Sequence, residues 1–272
     1  MIDLNCLLGQ QSCLVIDLDG VVYRGRDLIA GADQAIATFR QLGKKIAFLT
    51  NNSASSTFAV WQKLQNLGIE CDRQEILTAA AAAATFIADQ RIDQGQGVLV
   101  IGTNALKEEL VSQGVAIADA DHCGAVLVGL DPQFHYDAIA IALRALKNGA
   151  KLVICNRDAN FPSTGGQYLP GCGAMVGAIE TAAMQTADFD VGKPQITMLQ
   201  TITHRLNIPL SQCLIIGDML ASDILMANKA NIPSILITDL PLATIPNPQL
   251  AQPSFCMSSL QAIAQACSQY SI

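Results

Sequence analysis

The chain has 272 residues, 51% of them hydrophobic, and carries 16 Lys+Arg against 23 Asp+Glu for a formal net charge of −7. That length can bury a sizeable core as one large domain or two ordinary ones, while the acidic balance excludes a general nucleic-acid binder, which needs a basic stripe to displace phosphate counterions. The apolar runs are under about 18 residues, too short to span a bilayer, and Met1–Leu8 lacks the basic start and apolar stretch of a signal peptide, so a cytoplasmic protein with no nucleic-acid or membrane partner is expected.

In chain order, short apolar runs end in Gly, Asn or Asp: "CLVIDLDG" (13–20), "KKIAFLTNN" (44–52), "GVLVIG" (97–102), "AVLVGLD" (125–131), "KLVICN" (151–156), "CLIIGD" (213–218) and "SILITD" (234–239). Between most of them lie stretches with helical spacing, such as Ala32–Leu42, Ser55–Leu67 and Tyr136–Asn148. Strands apolar on both faces that alternate with helices predict parallel sheets covered by helices, so the fold class is α/β. Ala79–Ala84 belongs to an alanine-rich helix former, "DQRIDQGQG" (89–97) is a polar connector and "TADFD" (186–190) turns polar. These breaks predict a core built from 1–81 and 185–272, with a module of residues 82–184 inserted into it.

Several features carry bland readings. The nine cysteines form no CxxC pair, and Cys13, Cys155 and Cys213 sit in apolar runs, so buried inert thiols are expected rather than disulfides or a zinc site. "GCGAMVG" (171–177) has the spacing GxGxxxG and follows Leu169-Pro170 rather than a strand, which makes it a helix start and not a dinucleotide fingerprint. His122, His135 and His204 lack metal spacing and read as surface or helix-end residues, and Trp61 reads as core packing.

Ligands of open parallel sheets bind beyond the carboxyl ends of the strands. Three core runs deliver polar groups there: Asp17 with Asp19, Thr50-Asn51-Asn52, and Asp218. Asp17 and Asp19, two apart, start out facing the same way. Two carboxylates ~4 Å apart repel by ~4 kcal/mol at an effective dielectric of 20. Either one takes up a proton or a cation sits between them, and a third acid in "IIGDMLASDI" favours the cation. All-oxygen ligands suit Mg²⁺. In "DVGKPQ", Lys193 precedes Pro194, a residue favoured in the first turn of a helix, so Lys193 is expected at a helix entrance.

The ordered series "DLDGVVYRG", "FLTNNS", "GKP" and "GDMLASDI" resembles the four motifs of the haloacid dehalogenase superfamily of phosphatases, over essentially the whole chain. "TNNS" and "NRDANFPSTGGQYLPGCGAMVGAIE" (156–180) are similar to its NagD-like, 4-nitrophenylphosphatase branch. The resemblance implies a Rossmann-like parallel-sheet core with an inserted α/β cap, and a Mg²⁺-dependent phosphatase that hydrolyses a small phosphomonoester through an aspartyl phosphate. Asp17 is then the nucleophile and Asp19 the general acid and base. Asp17, the Asp19 carbonyl and Asp218 hold Mg²⁺, with Asp223 behind them. Thr50, Asn51 and Asn52 bind phosphoryl oxygens, and Lys193 neutralises the nucleophile and the transferring group. In the cap, Asp158 shapes a loop from which Phe161 and Pro162 approach the leaving group. The cap surface is a candidate homodimer contact. Two departures from the family pattern stand out: Ser222 replaces a Thr, and Asn231 a usual Gly before the last strand.

The sequence does not choose among sugar phosphates, nucleoside monophosphates, phosphoglycolate, pyridoxal phosphate and aryl phosphates as substrates. The competing readings are a phosphomutase, which returns the phosphoryl group to substrate, and an idle phospho-ligand-binding protein of the same fold. A signalling receiver domain, which also sets acids, a Thr and a Lys around Mg²⁺, is about half this length and lacks a cap.

Overall fold

Cys13, Leu14, Val15 and Ile16 are at most 1% exposed, the burial on both faces that marks a strand inside a parallel sheet. A computed structural model describes residues 4–162, 167–240 and 251–268. Among them the strands are, in chain order, β1 (Cys13–Asp17), β2 (Tyr23–Arg24), β3 (Asp27–Leu28), β4 (Lys45–Thr50), β5 (Ile76–Thr78), β6 (Val98–Ile101), β7 (Ala125–Val128), β8 (Lys151–Ile154), β9 (Asn160–Pro162), β10 (Tyr168–Pro170), β11 (Phe189–Asp190), β12 (Cys213–Gly217), β13 (Ser234–Ile237) and β14 (Phe255–Met257).

The chain divides into two compact units, one of Met1–Thr50, Trp61–Leu77 and Lys193–Ile272, the other of Asn51–Val60 and Thr78–Gly192. The second unit is longer at both ends than the expected 82–184 and also takes in Asn51–Val60.

The first unit holds a six-stranded sheet in the order β14-β13-β12-β1-β4-β5. The pairs from β14 to β4 are parallel, with Ile16 opposite both Ile216 and Phe48 and Asp17 opposite Leu49. This register sets Asp17, Thr50 and the residue after Gly217 at one edge of the sheet. The helix Ala32–Gln41 buries Ala32, Ala35, Ile36 and Phe39, one face at helical spacing, and packs against the helix Leu260–Ser268.

The second unit holds a parallel sheet in the order β11-β8-β7-β6 and an antiparallel pair of β9 and β10. All six alanines of 79–84 are buried in the helix Ala79–Gln90, and the Thr78 hydroxyl caps that helix by accepting from the Ala81 N–H at 3.1 Å. Gly171 precedes the helix Cys172–Ala183, so the glycine-rich run does start a helix.

Other expectations need correction. "TADFD" is not only a polar break, because Phe189–Asp190 forms the edge strand β11. Such edge pieces are too short to show a period. Trp61 is half-buried rather than core, with its Nε1 donating to the Cys71 carbonyl at 2.9 Å. All nine cysteines are free; Cys13, Cys123, Cys155, Cys172 and Cys213 are buried, but Cys6 is exposed. As expected of helix-end residues, His135 occupies the N-cap position of the helix Tyr136–Lys147, with no side-chain cap hydrogen bond, and His204 lies in the last turn of the helix Thr197–Arg205. No helix among the described residues is long and apolar enough to cross a membrane.

Candidate active site

β1 carries its apolar run to Asp17, the last strand residue, which is 8% exposed. The chain then turns sharply: the Leu18 carbonyl accepts from the Val22 and Tyr23 N–H groups at 2.9 and 3.1 Å, and the Gly20 N–H donates to the Tyr23 carbonyl at 2.8 Å. Gly20 has φ +86, and a Cβ there would meet Asp218 Oδ2 at 1.9 Å. Only glycine satisfies both the left-handed backbone and this close approach. Asp19, at the top of the turn, is exposed.

Opposite, β12 ends at Gly217 and delivers Asp218. The next residues, Leu220–Ile224, form a single π-helical turn in which both the Asp223 and Ile224 N–H groups donate to the Met219 carbonyl. The wide turn directs Asp223 back toward the strand end, against Gly217, where a Cβ would lie 2.3 Å from the Asp223 side chain. The Ser222 hydroxyl donates to Asp223 Oδ2 at 3.3 Å.

Carboxylate oxygens of Asp17, Asp218 and Asp223 lie within 4.8 Å of one another. Lys193, 4% exposed, donates to Asp17 Oδ1 at 2.5 Å and to Asp223 Oδ1 at 2.7 Å. Lys193 is not at a helix entrance: Pro194 follows it through a cis peptide in a turn, and the helix begins at Thr197.

One buried ammonium thus faces three acids. Burial would lower the Lys193 ammonium, but Asp17 and Asp223 hold it above its ordinary range. Burial pushes the Asp17 carboxyl up; Lys193 opposes the rise, and Asp223 and Asp218 add to it. The Asp218 carboxyl is pushed up to about 6, by lost solvation first and by Asp223 second. An all-oxygen donor set with surplus negative charge fits a hard divalent cation such as Mg²⁺.

Tyr23 and Lys63 also belong to this region, and sequence reasoning missed both. Tyr23 is 1% exposed and forms an isolated parallel bridge with Asp19. Lys63 Nζ stands 3.2 Å from the centre of the Tyr23 ring. Lost solvation raises the Asp19 carboxyl, and Lys63, Lys193 and Tyr23 oppose that rise. A lysine on an otherwise ordinary helix gave no signal in the sequence.

Thr50 closes β4 and is buried. Asn51 and Asn52 belong to the second unit. There the Asn51 amide donates to both Asp158 carboxylate oxygens, at 3.2 and 3.1 Å, and the Asn51 carbonyl accepts from Asn156 Nδ2 at 2.7 Å. The Asn52 side-chain Oδ1 accepts from the Ala54 and Ser55 N–H groups, both at 2.9 Å. The backbone at Asp158 is framed by Asn156, whose Oδ1 accepts the Asp158 N–H at 3.0 Å, and by Gly171, where a Cβ would lie 2.1 Å from the Asp158 carbonyl oxygen. Phe161, in β9, is 36% exposed; Pro162 ends that strand, and its side chain lies outside the described residues.

Comparison with known proteins adds to this geometry. A model of the haloacid dehalogenase-like hydrolases matches residues 14–116, and a second model of related hydrolases matches 190–239. The sugar phosphatase AraL of Bacillus subtilis is 35% identical over 225 residues, 82% of this chain and 82% of that protein. Among solved structures, a p-nitrophenyl phosphatase from Archaeoglobus fulgidus superposes with a TM-score of 0.88 at 27% identity, covering 94% of this chain and 99% of its own. A glycerol phosphate phosphatase from Mycobacterium tuberculosis, in complex with magnesium, gives 0.86 at 30% identity, covering 96% of this chain and 79% of its own.

Proposed function

The chain belongs to the haloacid dehalogenase-like hydrolases, in their NagD-like branch of phosphoric monoester hydrolases, and from that premise we propose that it cleaves a small sugar, polyol or aryl phosphomonoester through an aspartyl phosphate on Asp17. The observation that carries this reading is the buried Lys193 ammonium on Asp17 Oδ1, within a cluster of three carboxylates.

Asp17 supplies the attacking oxygen. Its carboxylate forms a bond to phosphorus while the bond from phosphorus to the ester oxygen breaks, and Asp19 gives its proton to the departing oxygen. Water then attacks the phosphorus of the aspartyl phosphate, Asp19 takes a proton from that water, and inorganic phosphate leaves with Asp17 restored. Such transfers have loose transition states, so positioning and charge compensation dominate. Lys193 fixes the unreactive face of Asp17 and offsets charge on both the carboxylate and the phosphoryl group. Thr50, at the end of the neighbouring strand, supplies a hydroxyl for a phosphoryl oxygen. Mg²⁺, held by Asp17, Asp218 and the Asp19 carbonyl, would offset the repulsion between carboxylate and dianion.

The second unit is proposed as the cap, with Asn51 and Asp158 setting its loop. Nine unbridged cysteines support a reducing, cytoplasmic setting.

The test is phosphate release from a panel that includes sugar phosphates, glycerol phosphate and 4-nitrophenyl phosphate, with Mg²⁺ or with chelator, alongside Asp17→Asn. Metal-dependent release lost in that variant is the expected result. Release that survives Asp17→Asn overturns the assignment, and no release from any ester favours a mutase or an idle binding protein.

A further inference from the structure

Beyond Thr50, residues 51–57 run as a strap over the carboxyl end of the sheet in the second unit. The strap is pegged beyond the end of three strands in turn. After β8, Asn156 Nδ2 donates to the Asn51 carbonyl at 2.7 Å. After β7, the Leu130 N–H donates to Ser53 Oγ at 2.9 Å. After β6, Thr103 Oγ1 donates to the Ala54 carbonyl at 3.0 Å. The backbone at Asn51 is therefore anchored within this unit.

Its side chain meets the loop that follows β8. The Asn51 amide is shared between Asp158 Oδ1 and Oδ2, at 3.2 and 3.1 Å, and hydrogen bonds to an ionised acceptor are about twice as strong as neutral ones. The glycine-rich run that starts the helix Cys172–Ala183 closes the loop from another side. There the Gly173 N–H donates to the Asp158 carbonyl and the Gly171 N–H to the Ala159 carbonyl, both at 2.9 Å. A Cβ at Gly173 would lie 2.4 Å from the Arg157 carbonyl oxygen. One at Gly192, just before Lys193, would lie 2.2 Å from the Cys155 carbonyl oxygen and 2.9 Å from Asn51 Oδ1. Glycines of two motifs thus make room for the loop, and Asn51 holds the Asp158 carboxylate. Further along the same segment, Phe161 stands 36% exposed on β9.

We propose that Asn51 is a positioning residue for the leaving-group side of the site: by holding Asp158 it sets the direction from which Phe161 meets a flat, apolar leaving group. It then governs the choice among esters and not the grip on phosphate. This differs from the phosphoryl-binding role that the motif resemblance implies for Asn51, because its amide nitrogen is engaged by both Asp158 oxygens. The inference rests on the phosphatase reading above, in which Thr50 and Lys193 of the first unit bind the phosphoryl group. Inorganic phosphate reports on that end of the substrate alone, whereas the ratio of two esters reports on the other.

The experiment measures kcat/KM for 4-nitrophenyl phosphate and for glycerol phosphate, together with the inhibition constant of inorganic phosphate. Asn51→Ala and Asp158→Ala are each expected to lower the 4-nitrophenyl phosphate value by about 10-fold or more, the scale of a lost apolar contact or a misplaced group. Glycerol phosphate should change by no more than about 3-fold and phosphate inhibition by no more than about 2-fold. Because the two residues act as a pair, the double alanine variant should lose no more than either single one. Asn51→Asp combined with Asp158→Asn exchanges donor and acceptor and should recover the 4-nitrophenyl phosphate value to within about 3-fold. Weaker phosphate inhibition in Asn51→Ala but not in Asp158→Ala would restore the phosphoryl-binding role and overturn the proposal. Equal losses on both esters, no loss on either, or losses that multiply in the double variant would overturn it too. If an alanine variant does not fold, the exchanged pair set against Asn51→Asp alone carries the same comparison. Asp17→Asn, run in parallel, tests the phosphatase reading separately: it must abolish release from both esters, whatever the Asn51 variants do.

Discussion

Lys193 Nζ lies 2.5 Å from Asp17 Oδ1, with both side chains buried at the edge of the sheet. A buried charge kept in place by its partners becomes costly when one partner is removed. Lys193→Met leaves Asp17 and Asp223 facing each other without a cation, and unfolding in urea with chelator present should show a loss of about 3–5 kcal/mol. Asp17→Asn removes one of the repelling acids and keeps the shape, so it should melt no lower than the wild type while its phosphate release is abolished. A variant that is inactive yet no less stable is the mark of a site arranged for chemistry.

The same surplus of acid predicts a response to metal. Millimolar Mg²⁺ should raise the melting temperature of chelator-treated protein, and at 100 times the dissociation constant the gain is about 2.7 kcal/mol. Asp218→Asn should erase the shift and melt slightly higher than the wild type in chelator, because one carboxyl of the cluster no longer resists burial. Fluorimetric melts of both proteins, with and without Mg²⁺, check this.

Gly20→Ala meets two obstacles together, the left-handed φ of +86 and the Asp218 carboxylate 1.9 Å from the new Cβ. The backbone alone costs about 1–2 kcal/mol, and the displaced Asp218 should weaken the Mg²⁺ shift as well. Gly25→Ala is the control: φ is +58 there too, but nothing lies within 4 Å of its Cβ, so it should lose stability and keep the metal response.

In the second unit, Arg157 pairs with both oxygens of Glu180, at 3.1 and 2.9 Å, and with Asp190 at 3.3 Å. The Arg157 hydrogen bonds first, and then the Ala187 N–H, hold the Glu180 carboxyl below its ordinary range. A lowered folded value means that the stabilisation is present above the ordinary glutamate range and is lost as pH falls through the lowered one. Glu180→Gln should therefore cost no more than about 1 kcal/mol at pH 7, since Arg157 is nearly half exposed and screened by solvent. The gap between variant and wild-type urea midpoints should close in acid.

What could be read in the sequence was whatever sits at the end of a strongly apolar strand. Asp17, Thr50 and Asp218 stood out because β1, β4 and β12 are buried runs that stop on a polar residue, and the α/β class with parallel sheets followed from the same runs. Asp223 was seen only as a residue behind the metal ligands, because an extra residue in the π turn changes its direction and no periodicity reports that. The Asn51–Asp158 pair joins residues 107 apart and leaves no local trace. Tyr23 lies within the run "DLDGVVYRG" and Lys63 within the helical stretch Ser55–Leu67, and neither carries a sequence signal of its own. Asn231 was noted as a departure from glycine; it has φ +54, and Asn is one of the few other residues that tolerates this conformation.

The π turn at Leu220–Ile224 makes the site sensitive to length as well as to chemistry. An α-helix advances about 100° per residue. Removing Ala221 alone would let the turn close as an ordinary helix and swing Asp223 about that far from Lys193, although every acid would still be present. The spacing between Asp218 and Asp223 is in this sense a ruler: a relative with the same acids one residue closer together would carry the motif without the means to form the cluster.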